Sequence, residues 1–256
     1  MISSRKIVVV GGTGLIGSKV VELLRAGGHD TVVASSRNGI DAYTGKGLEQ
    51  AMAGADAVID VSNMVSFDRD VITDFFATSS RNLVEAARRA GVRHHVILSI
   101  VNADSLAANP YMAGKLAQEM AVTRSGQAYT IVRATQFYEF INTLVDAYSA
   151  HDVVSVPAIE FQPIAATDVA AALALISLEE PKNTTVDLAG PERGTFASFI
   201  ETYLEASGDR RRTRADADLG YFGAPVTVRS LVPARDFIKG SITLADWLTT
   251  GAQRKS

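Results

Sequence analysis

The chain contains no cysteine, which excludes disulfides, thiolate nucleophiles and Cys-based zinc or iron–sulfur sites. Histidine is scarce. The four present, at positions 29, 94, 95 and 151, show no His-x-x-x-His or His-Glu spacing, so no metal site is expected. An excess of positive charge is also missing. Lys and Arg number 25 against 28 Asp and Glu, for a formal net charge of -3, and nucleic-acid binding usually leaves a basic footprint. No apolar run approaches the ~20 residues that span a bilayer. The first apolar stretch, at 6–10, starts too early for a signal peptide to precede it, so a cytoplasmic location without membrane attachment is the expectation. These absences do not amount to disorder. At 47% hydrophobic and 21% charged the composition is globular. The 256 residues suffice for one large α/β domain or a domain with a small appendage.

Glycine at particular spacings carries most of the information. Residues 6–17, KIVVVGGTGLIG, are a β-branched run that ends in glycines and leads straight into an apolar helix pattern. The glycines read either as Gly11-x-x-Gly14-x-x-Gly17 or as Gly12-x-Gly14-x-x-Gly17. On both readings Gly14 lets the main chain approach phosphate oxygens and Gly17 lets the helix pack closely, the pattern of a dinucleotide pyrophosphate site. The N–H groups of Thr13, Leu15 and Ile16, at the positive end of the helix dipole, then face the phosphates.

Further along, strand runs at 31–35, 57–61, 95–99 and 128–133 alternate with helical patterns at 15–27, 47–53, 69–90 and 112–125. Continuous rather than alternating hydrophobicity suits strands buried on both faces. The order therefore predicts an α/β fold with a doubly wound parallel sheet and right-handed crossovers. Gly91 is expected as the C′ residue of helix 69–90, and Thr167 as N-cap of a helix over 166–179, with Asp168 favouring its dipole. A strand at 185–190 and a helix at 196–207 follow. The run DRRRTR at 209–214 reads as a solvated loop, and 221–246 has no clear period.

A second motif lies in NPYMAGKLAQE, where Tyr111 and Lys115 stand four residues apart on one helix face. An ammonium beside a phenol favours the phenolate and draws its pKa down from ~10. Such a phenol can donate a proton to a carbonyl oxygen as hydride arrives. The strand at 95–99 ends just before it, at the carboxyl edge where open α/β sheets bind ligands. Ser99 closes that strand within reach of the same oxygen. His94 and His95 begin it, at the opposite end, and are expected to be structural, as is His29.

The glycine fingerprint, the strand end LSIVNAD, the Tyr111/Lys115 pair and SGQAYTIVRATQFYEF together resemble the short-chain dehydrogenase/reductase superfamily. Within it the likeness is to the atypical, NmrA-like branch. The resemblance covers about residues 5–190 and implies one NAD(P)-binding Rossmann domain over 1–256, with 135–165 and 191–256 supplying a substrate cleft and a small C-terminal cap. It implies that Tyr111 is the general acid/base, that Lys115 lowers its pKa and bonds the nicotinamide ribose, and that Ser99 steadies the substrate oxygen. Here the chain departs from the family, because Ser99 is followed by Ile100 and Val101 rather than small hydroxylated residues; Asn102 is the alternative polar contact. Val61, Ser62 and Asn63 are expected beside the nicotinamide ribose. At Thr135, Gln136 and Phe137 the resemblance implies backbone contacts to the carboxamide and side chains lining the cleft. Glu139 reads as a helix cap rather than a catalyst.

Cofactor preference is legible after strand 31–35, where NAD-specific sites carry an acidic residue. Ser35, Ser36 and Arg37 stand there instead. Hydroxyls and a guanidinium suit a 2′-phosphate, so NADP(H) is expected over NAD(H). The leading expectation is an NADPH-dependent oxidoreductase acting on a carbonyl or quinone of a small aromatic molecule. Reduction of a quinone followed by oxygen-dependent hydroxylation is a variant that the NmrA-like resemblance implies. A non-catalytic NADP(H) sensor is the alternative, and epimerase or dehydratase chemistry a weaker third. Relatives dimerise through helices, so the resemblance leaves a homodimer open.

Overall fold

The computed structural model describes residues 4–252. The elements are β1 (Lys6–Val10), α1 (Leu15–Ala26), β2 (Asp30–Ala34), α2 (Leu48–Met52), β3 (Ala57–Asp60), α3 (Arg69–Arg89), β4 (His94–Ile100), α4 (Pro110–Thr123), β5 (Tyr129–Ala134), α5 (Ile141–Ala147), β6 (Ser149–Ala150), β7 (Val153–Pro157), β8 (Glu160–Phe161), α6 (Ala166–Ser177), β9 (Thr184–Ala189), β10 (Gly194–Thr195), α7 (Phe196–Ser207), β11 (Arg212–Asp216), β12 (Phe237–Lys239) and α8 (Leu244–Ala252).

Seven strands form one parallel sheet in the order β12-β9-β5-β4-β3-β1-β2. The chain turns one way from β1 to β2 and the other way to β3, so a crevice opens beyond their carboxyl ends, the place where such sheets bind ligands. Both faces are covered. Ile7, Val9, Ile59, Val96 and Val132 pack against Val20 and Leu24 of α1 and Val169 and Leu173 of α6. Val8, Val10 and Val58 face Leu48 and Met52 of α2 and Leu83 and Ala87 of α3. Double coverage explains why these strands read as unbroken apolar runs.

Capping residues fix where the helices near the crevice begin. Asp68 accepts from Asp70 N and Val71 N ahead of α3, and Asn109 accepts from Tyr111 N and Met112 N ahead of α4. Both satisfy orphan N–H groups of a first turn, and Pro110 at N1 has no N–H to satisfy. Gly91, at φ +71°, follows the end of α3 as expected. α3 and α4 pack face to face. A Cβ on Gly114 would come within 2.7 Å of Phe76 Cδ2, so the absent side chain lets that ring press against α4.

A second apolar core gathers Tyr138, Ile141, Leu144, Val154, Phe161, Phe196, Ile200 and Tyr221, around the small sheets β11-β7-β6 and β10-β8. Two expectations are corrected here. Residues 212–214 of the basic run form part of β11 rather than a solvated loop, because parallel pairing with β7 gives them a ladder, and Arg211 is paired with Asp209 at 2.6 Å. Thr167 is not the N-cap of α6. Ala165 holds that position, and Glu139 supplies the missing acceptor from outside, taking Ala166 N at 3.1 Å. Asp168 lies in the first turn of α6 as expected and also receives Ser241 N and Ile242 N, each at 2.9 Å, and so fastens the C-terminal chain.

Candidate active site

The glycine turn is built from close backbone approach. Gly11 sits at φ +77°, and a Cβ there would lie 2.7 Å from Val61 O and 2.9 Å from Ser62 N. Only glycine suits that conformation and that space. A Cβ on Gly17 would come 2.2 Å from Gly11 O, so α1 starts tight against the turn. Gly14 is the N-cap, without a side-chain acceptor for the first turn of α1. The N–H groups at that end are therefore available to an anion.

At the end of β2, Ser35 precedes a short turn of 3-10 helix over Ser36–Asn38. Ser36 and Arg37 are exposed. Among the described residues Arg37 makes no ion pair, and the Ser35 hydroxyl is buried without a partner. The nearby carboxylate of Asp41 is taken up by its own turn, accepting Tyr43 N at 2.8 Å. No acid follows β2 directly, and the donors present fit a phosphate.

Across the crevice, Asp60 ends β3 and its Oδ1 accepts Ser62 N at 2.9 Å. Asn63 Oδ1 then accepts the Tyr111 hydroxyl at 2.8 Å. The structure thus joins Asn63, expected from the loop after β3, to Tyr111, expected from α4. Lys115 lies one turn further on. It is 4% exposed, its ammonium donates to Gln118 Oε1, and it sits 4.7 Å from the centre of the Phe76 ring, a cation–π distance. Tyr111 stands edge-on to the same ring with centroids 5.9 Å apart.

The expected effect of lysine on the phenol is corrected. Burial pushes Tyr111 up to about 12, and Lys115 contributes nothing to it, because the ammonium is turned to Gln118 and Phe76. Burial in turn brings Lys115 down to about 8, opposed by the charges of Asp60 and Glu119. The phenol is consequently a proton donor, not a ready base, at neutral pH.

Buried polar groups normally find hydrogen-bond partners. The hydroxyls of Ser62, Ser99 and Thr135 and the Gln136 side-chain oxygen, all at or just past the carboxyl ends of β3, β4 and β5, have none among the described residues. Such a row at the crevice fits a polar ligand. Phe137 stacks on Phe140 at 5.8 Å, whereas Tyr138 is fully buried in the second core. Asn102 is a correction. It adopts φ +55°, and its amide nitrogen donates to Val232 O at 2.8 Å and to Arg229 O and Ser230 O at 3.3 Å, so its nitrogen ties two chain segments instead of facing a substrate. Glu139 caps α6 and also accepts Trp247 Nε1 at 3.1 Å. His94 and His95 are buried at the amino end of β4, where burial holds His95 down at about 4.

Three residues at this site escaped sequence reasoning: Phe76, Asp60 and Gln118. Their signals were faint. Asp60 is a lone carboxylate in the apolar run AVIDV, and Gln118 continues the stripe of Tyr111 and Lys115 at i+7.

A family model described as NAD(P)H-binding matches residues 11–179. The chain belongs to this NAD(P)H-binding family. Among curated proteins it is 27% identical to the Photosystem II assembly factor Ycf39 of Trieres chinensis over 226 residues, 78% of this chain and 68% of the relative. Among solved structures it is similar to a short-chain dehydrogenase/reductase superfamily protein from Agrobacterium tumefaciens with bound NAD. That likeness has a TM-score of 0.71 and 19% identity, and covers 98% of this chain and 97% of the other. It also matches the triphenylmethane reductase of Citrobacter sp. complexed with NADP(H), with a TM-score of 0.61, 22% identity, and 82% and 79% covered. No helix among the described residues is long and apolar enough to cross a membrane.

Proposed function

We propose that the protein is an NADPH-dependent oxidoreductase that reduces a carbonyl or quinone of a small, flat aromatic molecule at the crevice. The observation that carries this reading is the Tyr111 hydroxyl held at 2.8 Å by Asn63, one helical turn from a buried lysine, beside a glycine turn fit for a pyrophosphate. The N–H groups that open α1 take the pyrophosphate, while Ser35, Ser36 and Arg37 take the 2′-phosphate. NADPH, when bound, supplies a hydride. Tyr111 gives its phenol proton to the substrate oxygen as charge develops there, a contribution of about 10²–10⁴-fold. Burial keeps that proton in place before the reaction. The unpartnered Ser99 hydroxyl offers the same oxygen a second hydrogen bond, and the Phe137–Phe140 stack gives a flat substrate an apolar wall. A hydroquinone formed in this way would react with oxygen, which makes reduction followed by hydroxylation the variant within this reading. A cytoplasmic location belongs to it as well.

The likeness to an assembly factor favours a second reading, a dinucleotide-binding module that reports to or assembles other proteins without turnover. A screen of NADPH consumption against quinones, enones and aromatic ketones, with oxygen uptake followed in parallel, separates the two. Under the first reading Tyr111→Phe lowers kcat by roughly 100-fold or more and leaves NADPH affinity within about threefold. Absence of turnover with every acceptor supports the second.

A further inference from the structure

Asp60 has no part in the chemistry so far, although its carboxylate is fully buried at the crevice end of β3. Carboxylates are almost never buried without partners, and here every partner leads into the site. One oxygen accepts Ser62 N at 2.9 Å, and the next residue, Asn63, holds the Tyr111 hydroxyl. The other accepts Gln118 Nε2 at 2.7 Å, and the Gln118 oxygen accepts from the Lys115 ammonium. Tyr111, Lys115 and Gln118 share one stripe of α4, so the contacts close a circuit through loop and helix.

We propose that Gln118, oriented by Asp60, is the positioning residue for the Lys115 ammonium in the reduction described above, an inference that rests on the reductase reading. An ammonium has three donors and no acceptor. With one donor on Gln118 and Phe76 against it, donor capacity is left for a bound hydroxyl. A carboxylate in the place of Gln118 would close an ion pair, whereas a neutral amide orients the charge without cancelling it. Asp60, one hydrogen bond further out, polarises that amide and favours the charged lysine against burial. Among the described residues, the remaining titratable groups around Lys115 and its partner Asp60 leave the ammonium free of a direct ion pair; His95 acts on Asp60 rather than on Lys115. Glu119 of α4 is paired with Arg133 of β5 at 2.7 Å, His95 of β4 is held neutral by burial, Tyr111 keeps its proton, and α3 presents the Phe76 ring.

The test is an NMR titration of lysine side-chain signals on the full chain, with Lys115→Ala identifying the resonance, alongside NADPH fluorescence titrations at two pH values. Gln118→Met lowers the Lys115 midpoint by about one unit and weakens NADPH binding about tenfold near pH 9 but less than about threefold near pH 6.5. Asp60→Asn moves the midpoint the same way, and Gln118→Glu raises it. An unmoved midpoint in a natively folded Gln118→Met chain overturns the proposal. Equal weakening at both pH values does so too, since that marks a purely structural role. Should the unaltered protein reduce no acceptor while Gln118→Met still moves the midpoint, the reductase reading falls and the positioning of Lys115 stands.

Discussion

At the scale of single residues, burial outweighs proximity. Four residues of helix bring Lys115 to the face of Tyr111, yet the ammonium turns to an amide and an aromatic ring, and the phenol is pushed up rather than down. Spacing was legible in the sequence; the direction each side chain takes was not, because it depends on Phe76, Gln118 and Asp60, which come from three separate elements. Arg37 is the converse case. Among the described residues it has no ion-pair partner to compete with a ligand, so its charge remains available. Arg37→Ala is expected to weaken NADPH binding by about tenfold or more, the worth of a charged hydrogen bond. NADH affinity should stay within about twofold, and fluorescence titration of both nucleotides checks the contrast.

For whole elements, the turn between β1 and α1 shows how alike glycines differ. A Cβ on Gly17 meets backbone at 2.2 Å, while one on Gly14 meets Gly11 O at 3.2 Å. Backbone cannot step aside as a side chain can. Gly17→Ala is expected to cost about 1–3 kcal/mol of stability, the usual range for overpacking, and to abolish nucleotide binding. Gly14→Ala should cost less stability than Gly17→Ala, since its Cβ meets one backbone oxygen at 3.2 Å, and should still lose binding under the proposed reading, in which this N-cap lies against the pyrophosphate. Thermal unfolding and nucleotide titration of the two variants distinguish these outcomes. The strands β1, β3, β4 and β5 were legible because they are largely buried and carry unbroken apolar runs. The short strands β6, β7, β8 and β10 were not, since pairs of two to five residues leave too little pattern to read.

For the molecule as a whole, the chain after β9 leaves the sheet, builds part of the second core and then returns. Its return is pinned at points that no periodicity announces. Asn102 holds the carbonyls of Arg229, Ser230 and Val232, and Asp168 holds Ser241 and Ile242. That is why 221–246 looked irregular: it is fastened by side chains from distant elements rather than by its own pattern. Asn102→Ala removes those bonds and leaves at φ +55° a residue that tolerates the left-handed region less well than asparagine. It should destabilise the protein by about 1–3 kcal/mol, speed amide exchange over 229–232, and leave nucleotide affinity within about twofold. Hydrogen-exchange mass spectrometry with a binding titration checks this.

The returning chain also ends the sheet. β12 covers the outer flank of β9 with three paired residues, Phe237 to Lys239. Without that short cover, β9 would present a row of unsatisfied peptide groups along the strand TTVDLA, an adhesive border to which another chain could add. A protein shortened before β12 would offer that border to its own copies.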